Sequence, residues 1–478
     1  MEQFVAKLEE WNRTINGVVW GPVMLCFLVG VGVFFTIALK GFQATKFSLW
    51  FKNTLGLLFQ GKKAEKGSVT PFQAFTTAMA ATAGTGNLVG VATAILAGGP
   101  GAVFWMMISG IFGMMTKFAE IVLAIHYREK NKDGDWVGGP MYYIKNGMGQ
   151  KFKWLAFLFA IFGSLCAFGI GNMTQINSIV GTTEAMLLDL NILQPEMTDT
   201  LFAIKLVMGI VLAILVSLVI LGGLQRIGNA TEKLVPFIGI LNIVGSIAAI
   251  CIHVDKLLPS VKIVLEAAFQ AEAIGGGLLG YTVMQAMRFG IARGVFTNEA
   301  GMGSAPIAHA AADTDHPVKQ GMWGVLEVFV DTVIMCVLSS FVILTSGAYT
   351  GVGQNIDGAG LISASFQASF GSFGSIFLAF SVLIFAYCTT LSWSLYGQRC
   401  FEYLFKGKGV RGYQLIFCGC VIIASIMQLN LAWDIADTLN GFMAIPNLIA
   451  LLALSGAVMK LTKEYLASVS KTKIKKQA

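Results

Sequence analysis

Eleven stretches of this chain are apolar over the length needed to cross the hydrocarbon core of a bilayer, which is about 30 Å thick. They run over about 17–39, 71–97, 102–126, 153–180, 202–222, 232–252, 272–292, 320–346, 372–398, 412–429 and 434–459. A bilayer offers no water to unpaired peptide groups, so such segments must close their backbone hydrogen bonds internally, as helices do. The expected fold is therefore an all-α polytopic membrane protein of about 11 transmembrane helices. Composition agrees. Charged residues make up 12% of the 478 and hydrophobic ones 55%, with a mean hydropathy of +0.72. Soluble domains are about 25% charged. A disordered chain, a disulfide scaffold and an ordinary soluble enzyme are excluded. Segment 17–39 is too long for a cleaved leader and follows an acidic head, Glu2, Glu9 and Glu10, so it is expected to be an extra N-terminal helix.

Lys and Arg assign the sides. The 40–70 loop carries Lys40, Lys46, Lys52, Lys62, Lys63 and Lys66, and the 127–153 loop carries Arg128, Lys130, Lys132, Lys145, Lys151 and Lys153. Arg226 and Lys233, then Arg399, Lys406, Lys408 and Arg411, mark further loops on that side, and the tail 460–478 is basic. The alternate loops are poor in cations: 181–200 has no Lys or Arg. This pattern places the N-terminus outside and the C-terminus in the cytoplasm of a multi-pass protein of the cell membrane, plasma or inner. The net charge of +7 is spread over short loops, which argues against nucleic acid as a partner.

Beyond the basic 1–70 region, five helices fill 71–252 and five more fill 253–459. An odd number per half makes the halves opposite in topology, the arithmetic of a 5+5 inverted repeat. The first helix of each half is interrupted by glycine. Helix 71–97 carries Ala80-Ala81-Thr82-Ala83-Gly84-Thr85-Gly86-Asn87, and helix 272–292 carries Gly275, Gly276, Gly277 and Gly280. Glycine breaks in matching positions point to discontinuous helices and a mid-membrane site, with Gly276 and Gly277 as site candidates from the second half. Small-residue packing between helices is the other meaning of such glycines.

A helix that opens at Gly84 frees N–H groups for an anion and carbonyls for a cation. That arrangement suits a zwitterion with a small cation beside it, and amino acid plus sodium is the simplest pair. Thr389 and Thr390, with the Ala386 carbonyl one turn before, offer hard oxygen ligands, although such threonines also bond to their own backbone. Asn172 and Gln175 sit at i and i+3 and should share a face, either lining a site or bonding a neighbouring helix. Trp393 can cover a substrate or simply pack. Lys117 and Glu120, also at i and i+3, are expected to pair as a structural ion pair or an inner-gate element. Asn298, Glu299 and Asp313 read as structural groups of an inner loop, and the histidines as residues of span ends and loops.

The stretches "TAMAATAGTGNLVGVATAILAGGPGAVFWMMISG" (77–110), "VGGPMYYI" (137–144) and "RFGIARGVFTNEAGMGSAPIAHAA" (288–311) resemble the signature of the sodium:alanine symporter family, the alanine-or-glycine:cation symporters. The similarity runs from about 15 to 460 and implies a leucine-transporter-type fold. By this resemblance the N–H groups of Gly84, Thr85 and Gly86 hold a substrate carboxylate, and Asn87 ligates a sodium ion beside it. Ala386, Thr389 and Thr390, with the carbonyls of Ala80 and Ala83, resemble a second sodium site, and Gln175 and Trp393 resemble pocket residues. The implied activity is sodium-coupled symport of a small neutral amino acid, alanine or glycine first, then serine, with glutamine open. No cofactor is implied beyond the coupling ion. A proton-coupled transporter would need a carboxylate near the site, and helix 71–97 has none. A uniporter or channel would need a continuous polar path. An enzyme would need a nucleophile or metal set, and no such motif is found in the sequence.

Overall fold

The structure is a computed structural model that describes residues 2–57, 64–65, 67–194, 196–269, 283–351, 356–427 and 430–477. Over these residues the chain is helical apart from connecting loops and one small hairpin, Glu129–Lys130 against Trp136–Val137. Eight of the described helices are long and apolar enough to cross a membrane. In chain order the elements that matter here are α1 (Pro22–Ala38), α2 (Pro71–Thr82), α3 (Val89–Gly98), α4 (Ala102–His126), α5 (Lys153–Phe168), α6 (Thr174–Asp189), α7 (Thr198–Ile220) and α8 (Gly223–Ile252). After them come α9 (Val283–Asn298), α10 (Ala305–His309), α11 (Pro317–Val328), α12 (Val337–Ser346), α13 (Ser372–Phe405), α14 (Val410–Ile426), α15 (Asn430–Ala453) and α16 (Ser455–Gln477).

Local sequence explains why α2 starts where it does. Thr70 and Gln73 form a reciprocal capping box, each side chain at 3.1 Å from the other's N–H, and Pro71 occupies the first helical turn. Close packing of α9 on α4 rests on Gly290 and Gly294, four residues apart. A Cβ on Gly290 would lie 2.3 Å from the Ala102 carbonyl oxygen, and one on Gly294 would lie 2.1 Å from Ser109 Oγ. Such small-residue stripes let backbones touch where the hydrophobic effect gives no drive between helices. One apolar cluster runs from Phe35 of α1 through Phe118 of α4 and Phe159 of α5 to Phe385 of α13. Outside it, α7 and α8 expose Phe202, Ile214, Leu218, Phe237, Ile240 and Val244. A surface this apolar is matched by lipid, not by water.

The first-half break falls where the sequence puts it. In the second half, Gly276 and Gly277 lie outside the described residues. The described interruption is further along, between the end of α9 at Asn298 and the start of α10 at Ala305. Three residues there take left-handed backbone: Glu299 (φ 52°), Gly301 (φ 92°) and Gly303 (φ 80°). At this described break the chain leaves the helix through residues held at positive φ.

A candidate site between two broken helices

The helix α2 stops at Thr82. Ala83 (ψ 93°) and Gly84 (φ −147°, ψ −149°) are extended, a short 3₁₀ turn follows over Thr85–Asn87, and α3 begins at Val89. Asn87 holds this geometry: its Oδ1 accepts the Gly84 N–H at 2.9 Å. That bond occupies one of the three N–H groups expected to meet a carboxylate. Thr85 and Gly86 head the turn, so no carbonyl within the turn reaches their N–H groups. On the other side of the break, Asn87 N–H donates to Gly84 O instead of Ala83 O, so Ala83 loses its helical partner.

The helix α13 crosses at this level. Thr389 donates its hydroxyl to Ala80 O at 2.8 Å and to its own-helix Phe385 O at 3.0 Å. A hydroxyl oxygen and a carbonyl oxygen are thus brought together in a buried place, beside the loosened Ala83 carbonyl. Thr390 instead donates back to Ala386 O at 2.9 Å. A Cβ on Gly84 would lie 2.9 Å from Thr389 Oγ1, so glycine is what lets α13 come this close.

Asn87 also reaches across to the π-helical turn Phe329–Cys336 between α11 and α12. Its Nδ2 donates to Asp331 Oδ1 at 2.7 Å, while Asp331 Oδ2 accepts the Thr332 hydroxyl at 2.9 Å. Asn298, at the end of α9, completes the chain by donating to Thr332 Oγ1 at 3.1 Å. Asp331 is fully buried and has no Lys, Arg or His nitrogen within 4.0 Å among the described residues.

Both interruptions face one small cavity of about 20 Å³. Its walls include Thr82, Gly84, Thr85 and Gly86 from the first break, Thr297 and Glu299 from the second, Gln175 from α6, Thr389 from α13 and Asn440 from α15. Gln175 sits 3.4 Å from Thr85 Oγ1 and donates to Ile170 O at 3.0 Å. Asn172 is not brought here. Its Nδ2 donates to Phe417 O of α14 at 2.6 Å, a helix–helix bond. The expected shared face fails because Gly169–Met173 is a π-helical turn, whose extra residue rotates Asn172 away from Gln175. Trp393, 1% exposed, lies beside the cavity and not in its lining, with its Nε1 donating to Glu299 Oε1 at 3.2 Å.

The two membrane faces differ. Toward the cation-poor loops lies a cavity of about 590 Å³, lined among others by Val89, Asn177, Asp189, Asp357 and Gln367. Toward the lysine-rich loops the protein is sealed by buried polar bonds. Lys117 pairs with Glu327 of α11 at 3.2 Å, both side chains 0% exposed. It does not form the expected pair with Glu120, because Glu327 competes from the facing helix. Glu120 instead accepts the N–H groups of Gly301 and Gly303 at 3.0 and 3.1 Å and Nδ2 of Asn447 at 2.6 Å, capping the second break. His309 ends α10 and is fully buried, 3.2 Å from Glu327 and 2.8 Å from Gln320. Gln320 in turn reaches Pro71 O at the foot of α2.

Sequence reasoning passed over Asp331 and Asn440 and read Glu299 as a structural group of an inner loop, since each enters the site from a different element and no spacing links them. The one available signal was "NEAGMG" itself, whose glycines at 301 and 303 mirror Gly84 and Gly86.

Two interrupted helices facing one cavity, with an open cavity toward one set of loops and a polar seal toward the other, define a multi-pass secondary transporter. Residues 5–478 match the family described as the sodium:alanine symporter family. The chain belongs to that family, whose members are transporters and not enzymes. An uncharacterized transporter of Haemophilus influenzae is 43% identical over 460 residues, 96% of each chain. The sodium/alanine symporter AgcS of Methanococcus maripaludis is 42% identical over 458 residues, 95% of this chain and 96% of that one. Among solved structures, MhsT in complex with L-phenylalanine aligns with a TM-score of 0.57 at 13% identity, covering 82% of this chain and 90% of that chain. This likeness gives the fold, the leucine-transporter-type architecture.

Proposed function

We propose that the protein carries a small neutral amino acid, alanine or glycine foremost, inward across the cell membrane together with sodium, by alternating exposure of the site between the breaks. The observation that carries this reading is the meeting of Thr389 Oγ1 with Ala80 O beside the opened Gly84–Asn87 turn. Ala80, Ala83 and Thr389 are the oxygens for one sodium, and Ala386 and Thr390, bonded to each other on the adjoining turn, support them from behind. Asn87 is the ligand for another, and Asp331 adds the formal charge that a cation there requires. The free N–H groups at Thr85 and Gly86 take the substrate carboxylate.

The tightness of the walls supports a small solute. A Cβ on Gly86 would sit 3.0 Å from Thr297 Cγ2, so even a methyl group on this turn would press on the opposite break. Sodium coupling is in keeping with the name of the 42% identical relative, a sodium/alanine symporter. In this reading the halves 71–252 and 253–459 are the inverted repeats, the N-terminus is outside, the C-terminus is cytoplasmic, and the structure is open toward the outside.

A sodium gradient across 100 mV supplies about 2.3 kcal/mol per charge, before the concentration term. The test is uptake of labelled alanine into proteoliposomes under an inward sodium gradient. Uptake that persists unchanged with potassium in place of sodium overturns the sodium claim. A second reading, proton coupling, gains support from the buried carboxylates Glu299 and Asp331 at the breaks. Alanine uptake driven by an imposed pH gradient in sodium-free buffer would favour it.

A further inference from the structure

The turn between α7 and α8 holds an arginine that no acid neutralises. Arg226, exposed in the first turn of α8, donates Nη1 to Leu218 O of α7 at 2.7 Å. Its side chain is folded across Gly222, where a Cβ would strike Arg226 Cδ and Nε. Among the described residues no carboxylate oxygen comes within 4.0 Å of its guanidinium. A guanidinium carries five N–H donors, so most of its donors and all of its charge remain open to a partner.

A groove of about 530 Å³ leads away from that charge between α7 and α14. The two helices run antiparallel. At one end a Cβ on Gly209 would strike Ser425 Oγ, and at the other Gln414 Nε2 donates to Ile220 O at 3.3 Å. Between these contacts the walls are apolar, with Ile210, Ile214 and Leu218 on one side and Cys418 and Ile422 on the other, and Ser217 and Arg226 are the polar residues of the lining. At Gly419, also in the lining, a Cβ would meet nothing within 4 Å, so the trough is open there. Ile210, Ile214 and Leu218 are exposed on a helix long and apolar enough to span a membrane, so the groove opens onto lipid and not onto water. The Gln414 bond also brings the head of α14, with exposed Lys408 and Arg411, to the same end as Arg226.

We propose that this groove is the site of one anionic phospholipid, an acyl chain lying along α7 and α14 and the headgroup phosphate on Arg226. The occupant has to be apolar over the length of the trough and negative at one end, at the depth where a spanning helix turns back. A basic pocket at the end of an apolar interhelical groove selects such a lipid. A zwitterionic headgroup carries its own cation, which Arg226, Lys408 and Arg411 repel, so net negative charge is favoured. A partner helix could fill the trough, but to satisfy the guanidinium it would need an acid inside or at the edge of the bilayer, which is costly. The groove shares no lining residue with the cavity between the breaks, so this site stands apart from the reading of solute and ion.

The experiment is native mass spectrometry of the full chain, purified in lipid-free detergent and titrated with dioleoylphosphatidylglycerol or dioleoylphosphatidylcholine, which share their chains and differ in charge. The wild type should bind the first phosphatidylglycerol about tenfold or more tighter than phosphatidylcholine. Arg226→Gln should lose about fivefold or more for phosphatidylglycerol and less than about twofold for phosphatidylcholine. Gly419→Phe fills the open part of the trough, and should weaken both lipids by about fivefold or more while unfolding on heating at the wild-type midpoint. Equal affinity of the wild type for the two lipids overturns the proposal. So does a headgroup preference that survives Arg226→Gln, or tight lipid binding that survives Gly419→Phe. A dimer in light scattering that Gly419→Phe converts to monomer, with no lipid preference in the wild type, would make a second copy the occupant and also overturn it. Should both variants fail to fold, the wild-type comparison of the two lipids decides.

Discussion

At the scale of single residues, the two neighbouring threonines of α13 have different work. Thr389 faces the first break and donates to Ala80 O, while Thr390 donates to the turn before it. Replacing Thr389 with Val keeps the volume and removes the oxygen. A hydrogen-bonding group that serves an ion is worth about 1.5–3 kcal/mol, which is tenfold or more in affinity. We expect Thr389→Val to raise the sodium concentration for half-maximal alanine uptake by about tenfold or more, and Thr390→Val by less than about threefold. Equal effects from the two would remove Thr389 from the cation site. Gly84→Ala places its new carbon against the same hydroxyl, at 2.9 Å. It should abolish sodium-stimulated uptake while leaving the protein in the membrane at wild-type levels on an immunoblot.

At the scale of elements, the second break depends on Gly301 and Gly303. Both hold positive φ, and a Cβ would meet Leu28 Cδ2 at 2.6 Å from Gly301 and Pro140 Cγ at 2.5 Å from Gly303. Gly303→Ala combines backbone strain with a clash, and should cost about 2 kcal/mol or more. The readout is the midpoint of thermal unfolding in detergent, which should fall clearly below that of a Gly412→Ala control, where nothing lies within 4 Å. The sequence made the first break legible because Gly84-Thr85-Gly86-Asn87 interrupts a segment that is otherwise apolar. The second was hidden because Asn298 and Glu299 look like an exposed loop when read in line. Their burial comes from α4, α13 and α15 closing over them. The same limit misled the pairing of Lys117 with Glu120: spacing within a helix gives the candidates, but the facing helix supplies the winner. That the chain is helical and multi-pass, in contrast, is a property of composition along it and could be read directly.

At the scale of the molecule, the seal toward the lysine-rich face is an electrostatic structure. Glu327 joins Lys117 and His309, all three fully buried, and Gln320 links that group to the foot of α2. Removing one charge from a buried pair leaves the other without a partner and costs about 3–5 kcal/mol. Glu327→Gln should therefore unfold earlier on heating than the wild type, and Lys117→Met with Glu327→Leu should recover part of the loss. Recovery with transport still absent would show that the pair serves the moving parts and not the resting fold. Glu120→Gln tests the neighbouring cap. It retains an acceptor for Gly301 and Gly303, so stability should change little, while the rate of alanine exchange should change by threefold or more if the cap has to release during turnover.

Val69, just before α2, and the Ala311–Asp313 segment, just after α10, are stitched by a parallel bridge, with Val69 N–H on Ala311 O at 3.0 Å and Asp313 N–H on Val69 O at 2.8 Å. The lower arms of the two interrupted helices are thereby yoked. Neither can swing without straining those two hydrogen bonds, so a cation bound at Ala80 as proposed would be felt at α10 through them. Such a linkage favours a single lever that tips as a block over two hinges that melt separately.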